Sequence, residues 1–155
     1  MQPEDQRRED TKYTIIPRTL VFLTRGDALL LLKGASDKKL WAGMYNGLGG
    51  HIEAWESPLR SARRETREET GLDVRNLRLR GTVHVSMPEP PGVILFVFVG
   101  EAPTYEVHTS DEGTPTWVPV QDIHSLPLVE DLYDLIPRVL APGPIISAHY
   151  TFDDG

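Results

Sequence analysis

The sequence predicts an α/β (α+β) fold in which helices cover a mixed β-sheet, and two observations carry that prediction. Runs of β-branched and apolar residues recur along the chain at lengths typical of short strands. One early segment and one late segment carry helix signals instead. The longest uninterrupted apolar run, residues 93–99, is far too short to cross a bilayer. Strands that surround two helices are typical of one layered domain.

The strands are expected where apolar runs lie between turn signals. Residues 13–33 are interrupted by Arg25-Gly26-Asp27, which predicts two strands joined by a tight turn. A short strand is expected within the glycine-rich residues 40–49. Further strands are expected in four segments, at about residues 77–86, 93–100, 116–120 and 145–152.

Each helix is predicted from its end signals. Ser57 is a residue type that caps helix N-termini, and Pro58 suits the first helical position. Gly71 is the usual left-handed residue past a helix end, so a helix is expected over Pro58–Thr70. A second helix is expected over about residues 130–140, shortened or kinked by Pro137.

Composition and charge exclude several classes of protein. No cysteine is present, which excludes disulfides, thiolate zinc sites and cysteine nucleophiles. The net charge of −7 argues against a nucleic-acid polymer as partner, because such proteins usually neutralise phosphates with Lys and Arg. The charged N-terminus lacks the apolar core of a signal peptide, so we expect a cytoplasmic protein without membrane contact. Residues 1–12 are expected to form a flexible tail and residues 13–155 a single domain.

The first predicted helix gathers three carboxylates on one strip. At about 100° per residue, Glu65, Glu68 and Glu69 fall within an arc of roughly 100°. The adjoining arc is expected to pack on the sheet and holds Leu59, Ala62 and Thr66, while the solvent side holds Arg60, Arg63 and Arg67. Crowded carboxylates repel one another, and a hard divalent cation would compensate them. A solvated Glu/Arg helix with i,i+4 pairs such as Arg64–Glu68 would explain the same strip, so the wheel alone leaves the function open.

The spacing of these residues is more specific than their arc. The pattern G-x5-E-x7-R-E-U-x-E-E-x-G-U, in which U is aliphatic, is matched at Gly50, Glu56, Arg64, Glu65, Glu68, Glu69, Gly71 and Leu72. Its seven fixed positions would coincide by chance in roughly one chain of this length in a million. The segment resembles the Nudix box, with Thr66 in place of the usual aliphatic residue.

The likeness to MutT-like Nudix hydrolases extends beyond the box. Residues 40–50 are similar to the approach segment that leads into the box in these nucleotide-pool sanitising enzymes. Residues 19–23 are similar to their first core strand, and residues 110–113 to the loop ahead of Trp117. The resemblance implies an α/β/α sandwich around a mixed sheet. It also implies a Mg²⁺-dependent hydrolase, with Mn²⁺ as a second candidate metal, that cleaves small molecules containing a nucleoside diphosphate.

The resemblance assigns roles to particular residues. The implied metal ligands are the carbonyl oxygen of Gly50 and the carboxylates of Glu65, Glu68, Glu69 and Glu112. Glu56 would support this cluster or contact the metal through water, and Arg64 would orient a carboxylate. Glu112 matches a loop glutamate that is a candidate general base, although an ordinary acidic turn would also explain residues 110–113. The implied catalytic residues are therefore Arg64, Glu65, Glu68 and Glu112, and which carboxylate takes the proton stays open.

The substrate depends on residues outside the box. In MutT-like enzymes that hydrolyse oxidised purine nucleoside triphosphates, the base is bound at positions that match Thr19, Asn46, Glu130 and Asp131. Asn46 can both donate and accept hydrogen bonds, but asparagine before glycine is also a common turn. Glu130-Asp131 would also complement a helix N-terminus, and Leu128 replaces the aromatic residue that usually precedes this pair.

These residues favour a (d)NTP such as 8-oxo-dGTP, cleaved to a nucleoside monophosphate and pyrophosphate. The alternative is ADP-ribose or another nucleotide sugar. Pro88 is close to the position of a proline that marks many ADP-ribose members of the family, but three prolines in the turn at residues 88–91 make that match uninformative. A ligand sensor without catalysis is a third interpretation, and the intact box glutamates argue against it. The sequence leaves monomer and homodimer open. Five histidines show no paired metal spacing and are assigned no special role: His51, His84, His108, His124 and His149.

Overall fold

The protein is described by a computed structural model, which covers residues 12–35 and 42–152. The elements are β1 (Ile15–Arg25), β2 (Ala28–Gly34), β3 (Tyr45–Asn46), α1 (Pro58–Thr70), β4 (Arg78–Ser86), β5 (Gly92–Glu101), β6 (Gly113–Pro119), a 3-10 helix (Val120–Ser125), α2 (Leu132–Leu140) and β7 (Ile146–Thr151). The predicted tail, apart from Lys12, and the start of the predicted approach segment at Leu40-Trp41 lie outside the described residues. None of the described helices is long and apolar enough to span a membrane.

Every predicted strand and both predicted helices form, and α1 begins and ends at the predicted residues. The boundaries differ where the sequence has no sharp stop signal. β6 starts at Gly113, three residues earlier than expected, and the 3-10 helix that follows it was not predicted. α2 starts only at Leu132, because the segment before it pairs with β3 instead of joining the helix.

The described strands form one seven-stranded sheet in the order β3-β2-β1-β5-β4-β7, with β6 paired to β2. β1 and β5 are parallel, as are β4 and β7, whereas the other pairs are antiparallel. The register of β1 with β5 is unbroken from Ile15 opposite Gly92 to Thr24 opposite Glu101. The predicted mixed sheet is therefore confirmed.

The two faces of the sheet carry separate hydrophobic cores. Along β1, Leu20 and Phe22 belong to the core under α2 and the 3-10 helix, while Val21 and Leu23 belong to the core under α1. This division follows from the alternation of side chains along a strand. The α2 residues Leu132, Leu135, Ile136 and Val139 are buried in the first core, and Ala62 of α1 is buried in the second. The architecture is the expected α/β/α sandwich.

One prediction for α1 is wrong. Leu59 was expected to pack on the sheet, but it is 42% exposed, whereas Ala62 and Thr66 are fully buried as expected. Leu59 lies in the first turn, and a wheel angle does not tell whether the sheet still lies beneath that end of a helix. The buried residues of α1 are Ser61, Ala62, Thr66, Glu69 and Thr70, so a glutamate of the box is on the buried side.

A buried arginine ties the end of α2 to the sheet. Arg80 of β4 donates to the carbonyl oxygens of Val139, Ala141 and Gly143 at 3.2, 3.0 and 2.9 Å. A cation there complements the negative end of the helix dipole as well as its last carbonyl groups. The side chain thereby fixes the turn that leads from α2 into β7.

We expect Arg80→Met to lower the free energy of unfolding by about 3 kcal/mol, because three carbonyl groups lose a charged donor. The matched control is Arg78→Met on the same strand, where the arginine is exposed and the loss should stay below about 0.5 kcal/mol. Urea unfolding of the two variants measures both values. Equal losses would show that the contacts of Arg80 contribute nothing specific.

Candidate active site

The helix of the box, α1, is well capped at its N-terminus. The hydroxyl oxygen of Ser57 accepts a hydrogen bond from Arg60 N at 3.2 Å, and Pro58 occupies the first helical position. The Ser61 hydroxyl donates to the carbonyl oxygen of His51 at 3.4 Å, which holds the preceding loop against the helix. Loop and helix are thus joined ahead of the three glutamates of α1, which are Glu65, Glu68 and Glu69.

The box helix ends at a glycine for two reasons. Gly71 has a φ of 81°, the left-handed conformation that favours glycine, and its N–H donates to Arg67 O at 2.8 Å. A Cβ at Gly71 would also lie 2.3 Å from Cδ2 of His108. His108 N donates to the Thr70 carbonyl oxygen at 2.9 Å, so the loop that precedes Glu112 is attached to the end of α1.

Arg64 forms the charged link between the loop and the helix. Its Nε donates to Glu56 Oε2 at 2.9 Å and its Nη2 donates to Glu56 Oε1 at 2.6 Å, a two-point contact that arginine geometry favours. Nη1 donates to Glu65 at 3.1 Å and to Glu68 at 3.3 Å. The hydrogen bonds from Arg64 lower the pKa of Glu56 to about 2, and the same contact raises the pKa of Arg64. Glu56 therefore stays ionised as the anchor of this arginine.

Glu69 is a buried carboxylate among other carboxylates. The residue is 4% exposed, and its Oε1 accepts a hydrogen bond from Gly49 N at 2.7 Å. Burial raises the pKa of Glu69 to about 8, and the hydrogen bond from Gly49 opposes that rise. Neighbouring negative charges raise it further, from Glu65, Glu112 and Glu68. Burial likewise raises the pKa of Glu65, against the attraction of Arg64.

The glycine pair before the box lets the chain approach these carboxylates closely. A Cβ at Gly50 would lie 2.6 Å from Glu65 Oε1, and one at Gly49, where φ is 130°, would lie 2.1 Å from Thr19 O. The Gly50 carbonyl oxygen accepts a hydrogen bond from Thr19 N at 2.8 Å, and Gly49 N holds Glu69. Glycine is required at Gly49, where the φ is left-handed and the backbone of Thr19 leaves no room for a side chain, whereas a side chain at Gly50 would displace the carboxylate of Glu65.

The acidic strip has the chemistry of a divalent metal site. Glu65, Glu69 and Glu112 are close enough for each other's charge to matter, and the Gly50 carbonyl group lies beside Glu65. Hard oxygen ligands of this kind suit Mg²⁺, Mn²⁺ or Ca²⁺. Within the described residues no three His, Asp or Glu side chains already have the arrangement of a metal site. Arg64 contacts Glu65 and Glu68, and Gly49 N contacts Glu69.

β3 pairs with the segment that precedes α2, so two parts of the chain that hold predicted base-binding residues are joined. Tyr45 of β3 pairs in parallel with Leu128, with Tyr45 N donating to Pro127 O at 2.9 Å and Val129 N donating to Tyr45 O at 3.0 Å. This pairing brings Asn46 beside the segment that leads into Glu130 and Asp131. Leu128, which replaces an aromatic residue, is 2% exposed and belongs to the core.

The acidic pair precedes α2 without capping it. Asp131 is the residue before the helix, and its side chain makes no hydrogen bond to the helix N–H groups. Burial first, and then the charge of Glu130, raise the pKa of Asp131. The Asn46 side-chain oxygen accepts a hydrogen bond from Gly47 N at 2.8 Å, which is the contact expected of a turn residue.

Thr19, which was expected to line the base pocket, lies against the loop before α1. It is 3% exposed, and its N–H and hydroxyl groups lie against Gly50. It therefore supports the loop at the acidic strip. A surface pocket of about 510 Å³ lies elsewhere, at the end of β1 that carries Thr24 and the turn Gly26-Asp27, and no box residue lines it.

Two residues of the site were missed by sequence reasoning. Gly49 orients the buried Glu69, and its position before the box glycine was the only available signal. The Tyr133 hydroxyl donates to Leu126 O at 2.5 Å and accepts from Leu128 N at 3.0 Å, so it holds the segment that pairs with β3. No pattern in the sequence indicates that contact, because it joins a helix to an irregular segment.

Known proteins share both this sequence pattern and this fold. The model of the NUDIX domain matches residues 14–139. An NAD-capped RNA hydrolase, NudC, of Pseudomonas syringae is 34% identical over 142 residues, which are 85% of this chain and 48% of that protein. An oxidized purine nucleoside triphosphate hydrolase of Danio rerio is 31% identical over 117 residues, 68% of this chain and 67% of that protein. The chain thus spans about half the length of the first of these relatives and two thirds of the second.

The crystal structure of a MutT protein from Bacillus halodurans superimposes with a TM-score of 0.76 at 26% identity, covering 88% of this chain and 91% of that one. The chain therefore belongs to the Nudix family of hydrolases, which act on nucleoside diphosphate-linked substrates and generally use divalent metal ions. The MutT-like fold expected from the sequence is confirmed.

The contact between Gly71 and His108 can be tested by a double-mutant cycle. Gly71→Ala should lower the free energy of unfolding by about 2 kcal/mol, from left-handed strain together with the clash. In the His108→Ala background only the strain remains, so the loss should fall to about 1 kcal/mol. Guanidinium unfolding of the four proteins gives these values. An unchanged loss would mean that the imidazole simply moves aside.

Proposed function

We propose that the chain is a Mg²⁺-dependent nucleoside triphosphate pyrophosphohydrolase that converts a (d)NTP such as 8-oxo-dGTP to a nucleoside monophosphate and pyrophosphate. The observation that carries this proposal is the single short segment from Asn46 to Gly50. One end follows Tyr45, which pairs with Leu128 in the segment that leads into Glu130-Asp131. The other end lies against the carboxylates of Glu65 and Glu69. A base and its phosphates can therefore be held by one rigid stretch of chain.

The proposed metal ligands are the Gly50 carbonyl oxygen and the carboxylates of Glu65, Glu68, Glu69 and Glu112. A buried carboxylate with acidic neighbours, such as Glu69, is costly unless a cation compensates the charge, which supports this assignment. Bound Mg²⁺ would polarise phosphoryl oxygens and lower the pKa of a coordinated water. Arg64 is proposed to orient Glu65 and Glu68, and Thr19 to hold the Gly50 carbonyl group in place.

The proposed reaction is hydrolysis of one phosphoric anhydride bond. A water oxygen forms a bond to one of the two phosphorus atoms joined by the α–β bridging oxygen while the bond from that phosphorus to the bridging oxygen breaks, so that a nucleoside monophosphate and pyrophosphate are released. A carboxylate takes the proton of the water. Glu112 is the candidate for that role, because it lies in a loop close enough to the strip for its charge to raise the pKa of both Glu65 and Glu69. Glu65 and Glu68 are the competing candidates.

A second candidate function is cleavage of the pyrophosphate bond in a nucleoside diphosphate derivative such as NAD⁺ or the nucleotide sugar ADP-ribose. The NAD-capped RNA hydrolase of P. syringae, 34% identical over 85% of this chain, favours it. The similarity to the zebrafish oxidized purine nucleoside triphosphate hydrolase favours the triphosphate instead. The acidic pair Glu130-Asp131 supports the triphosphate proposal further, since two neighbouring carboxyl groups can read the donor edge of a purine.

The experiment that tests the function is a substrate panel with Mg²⁺: 8-oxo-dGTP, dGTP, dATP, NAD⁺ and ADP-ribose. Release of pyrophosphate with a nucleoside monophosphate is expected to be fastest for one triphosphate. Release of AMP with ribose 5-phosphate or nicotinamide mononucleotide would favour the second candidate. Absence of turnover with every compound would contradict both.

Glu68→Gln should lower kcat more than about 100-fold with the best substrate, because it removes a proposed metal ligand without removing volume. Glu53→Gln is the matched control, since this glutamate is exposed and lies in the same loop–helix segment. Steady-state kinetics at saturating Mg²⁺ compares them, and circular dichroism checks that both fold. A Glu68 variant as fast as the control would refute the metal assignment.

Asn46→Ala should change discrimination between bases, lowering kcat/KM by about 10-fold for the preferred base and less for the others. Tyr133→Phe should shift the same ratio by a smaller factor, about 3-fold, because it loosens the segment before Glu130-Asp131. The ratio of kcat/KM for 8-oxo-dGTP and dATP measures both effects. An equal loss for all bases would assign Asn46 a turn role only.

A further inference from the structure

The loop that carries Glu112 is tied across its base by a tryptophan. Residues 102–112, called the Glu112 loop below, join β5 to β6. Trp117 of β6 donates from its indole Nε1 to the carbonyl oxygen of Tyr105 at 2.9 Å, across 12 residues of chain. The hydrogen bond therefore joins a residue before Glu112 to a residue after it.

Arg25, at the end of β1, holds Tyr105 from the other side. Its guanidinium carbon lies 5.0 Å from the centroid of the Tyr105 ring, a cation–π contact, and the Tyr105 hydroxyl donates to Arg25 O at 3.2 Å. Arg25 Nη1 also donates to Ala102 O at 3.0 Å. The rings of Tyr105 and Trp117 meet edge to face, with centroids 5.2 Å apart and planes 77° apart. Tyr105 is thus held between β1 and β6.

Trp117 is a firm anchor because it belongs to the sheet. In the register of β2 with β6 it lies opposite Leu30, which is fully buried. Its side chain packs against the core under α1. The hydrogen bond to Tyr105 therefore carries the rigidity of the sheet into an irregular part of the chain.

Glu112 needs such an anchor because its neighbours repel it. Its charge raises the pKa of both Glu65 and Glu69, so the three carboxylates lie close together. Repulsion favours movement of the loop away from α1, and a released loop also gains conformational entropy. A contact that shortens the free length of the loop opposes both effects.

We propose that Trp117 is a positioning residue for Glu112: its indole N–H, assisted by Arg25, closes the Glu112 loop and keeps the carboxylate at the acidic strip. The link to catalysis rests on the proposed function, in which Glu112 is the candidate for taking the proton of the water. Without the contact, Glu112 should leave the strip for part of the time. Turnover should then fall, while binding of the base, which involves other parts of the chain, stays as it is.

Amide hydrogen exchange of the full chain in Mg²⁺ tests the contact without any substrate. Trp117→Phe removes the N–H donor and keeps an aromatic ring, and we expect residues 105–112 to exchange at least about 5-fold faster, measured relative to β4 as the reference for global unfolding. Arg25→Met should loosen the same segment by a second route. Trp55→Phe is the matched control, because Trp55 is 96% exposed and lies in the loop before α1. Wild-type exchange of the loop in Trp117→Phe and Arg25→Met would overturn the proposal.

A double-mutant cycle in kcat tests whether Trp117 acts through Glu112. Trp117→Phe should lower kcat about 10-fold and change KM less than about 2-fold, and the loss should nearly vanish in the Glu112→Gln background. An unchanged kcat, a change in KM alone, or an equal loss in both backgrounds would overturn the proposal. Wild-type kcat in Glu112→Gln would instead contradict the proposed role of Glu112 in hydrolysis, and hydrogen exchange then still decides whether Trp117 holds the loop.

Discussion

The geometry of the acidic site depends on the contacts of the Arg64 guanidinium group with its neighbouring carboxylates. Its two-point contact with Glu56 joins the loop to the helix, and its remaining N–H groups reach Glu65 and Glu68. Without a cation in this place the helix would carry its carboxylates against one another. Arg64 is itself only partly buried, with its side chain 31% exposed, so solvent moderates the attraction. Its contribution lies in orientation more than in stability.

The sheet imposes a second constraint on the same site. β1 must approach the loop before α1 closely enough for Thr19 N to reach Gly50 O, while Gly49 N reaches Glu69 from the other side. Any side chain at Gly49 or Gly50 would fill that space. The buried position of Glu69 follows from this close approach, and burial is what raises its pKa. Backbone geometry and electrostatics are therefore linked in one small region.

Much of the fold follows from local signals. α1 could be predicted to the residue because Ser57, Pro58 and Gly71 each act within one turn of the helix. The 3-10 helix and the late start of α2 could not, since pairing of Leu128 with Tyr45 competes with helix formation there. Leu59 was misplaced because helix periodicity gives an angle and not the extent of the sheet beneath it. The contact of Thr19 with Gly50 could not be predicted either, because it depends on how β1 lies against the loop before α1.

The sequence by itself determined the family and the acidic strip, because the box residues lie within 23 positions and their spacing fixes their relation on one loop and one helix. Only the tertiary structure decided which of those carboxylates is buried, what holds each one, and which distant residues join them. The pairing of Tyr45 with Leu128 and that of His84 with His149 are contacts of strand register. Register arises from the packing of whole strands and is not encoded at any one position along the chain.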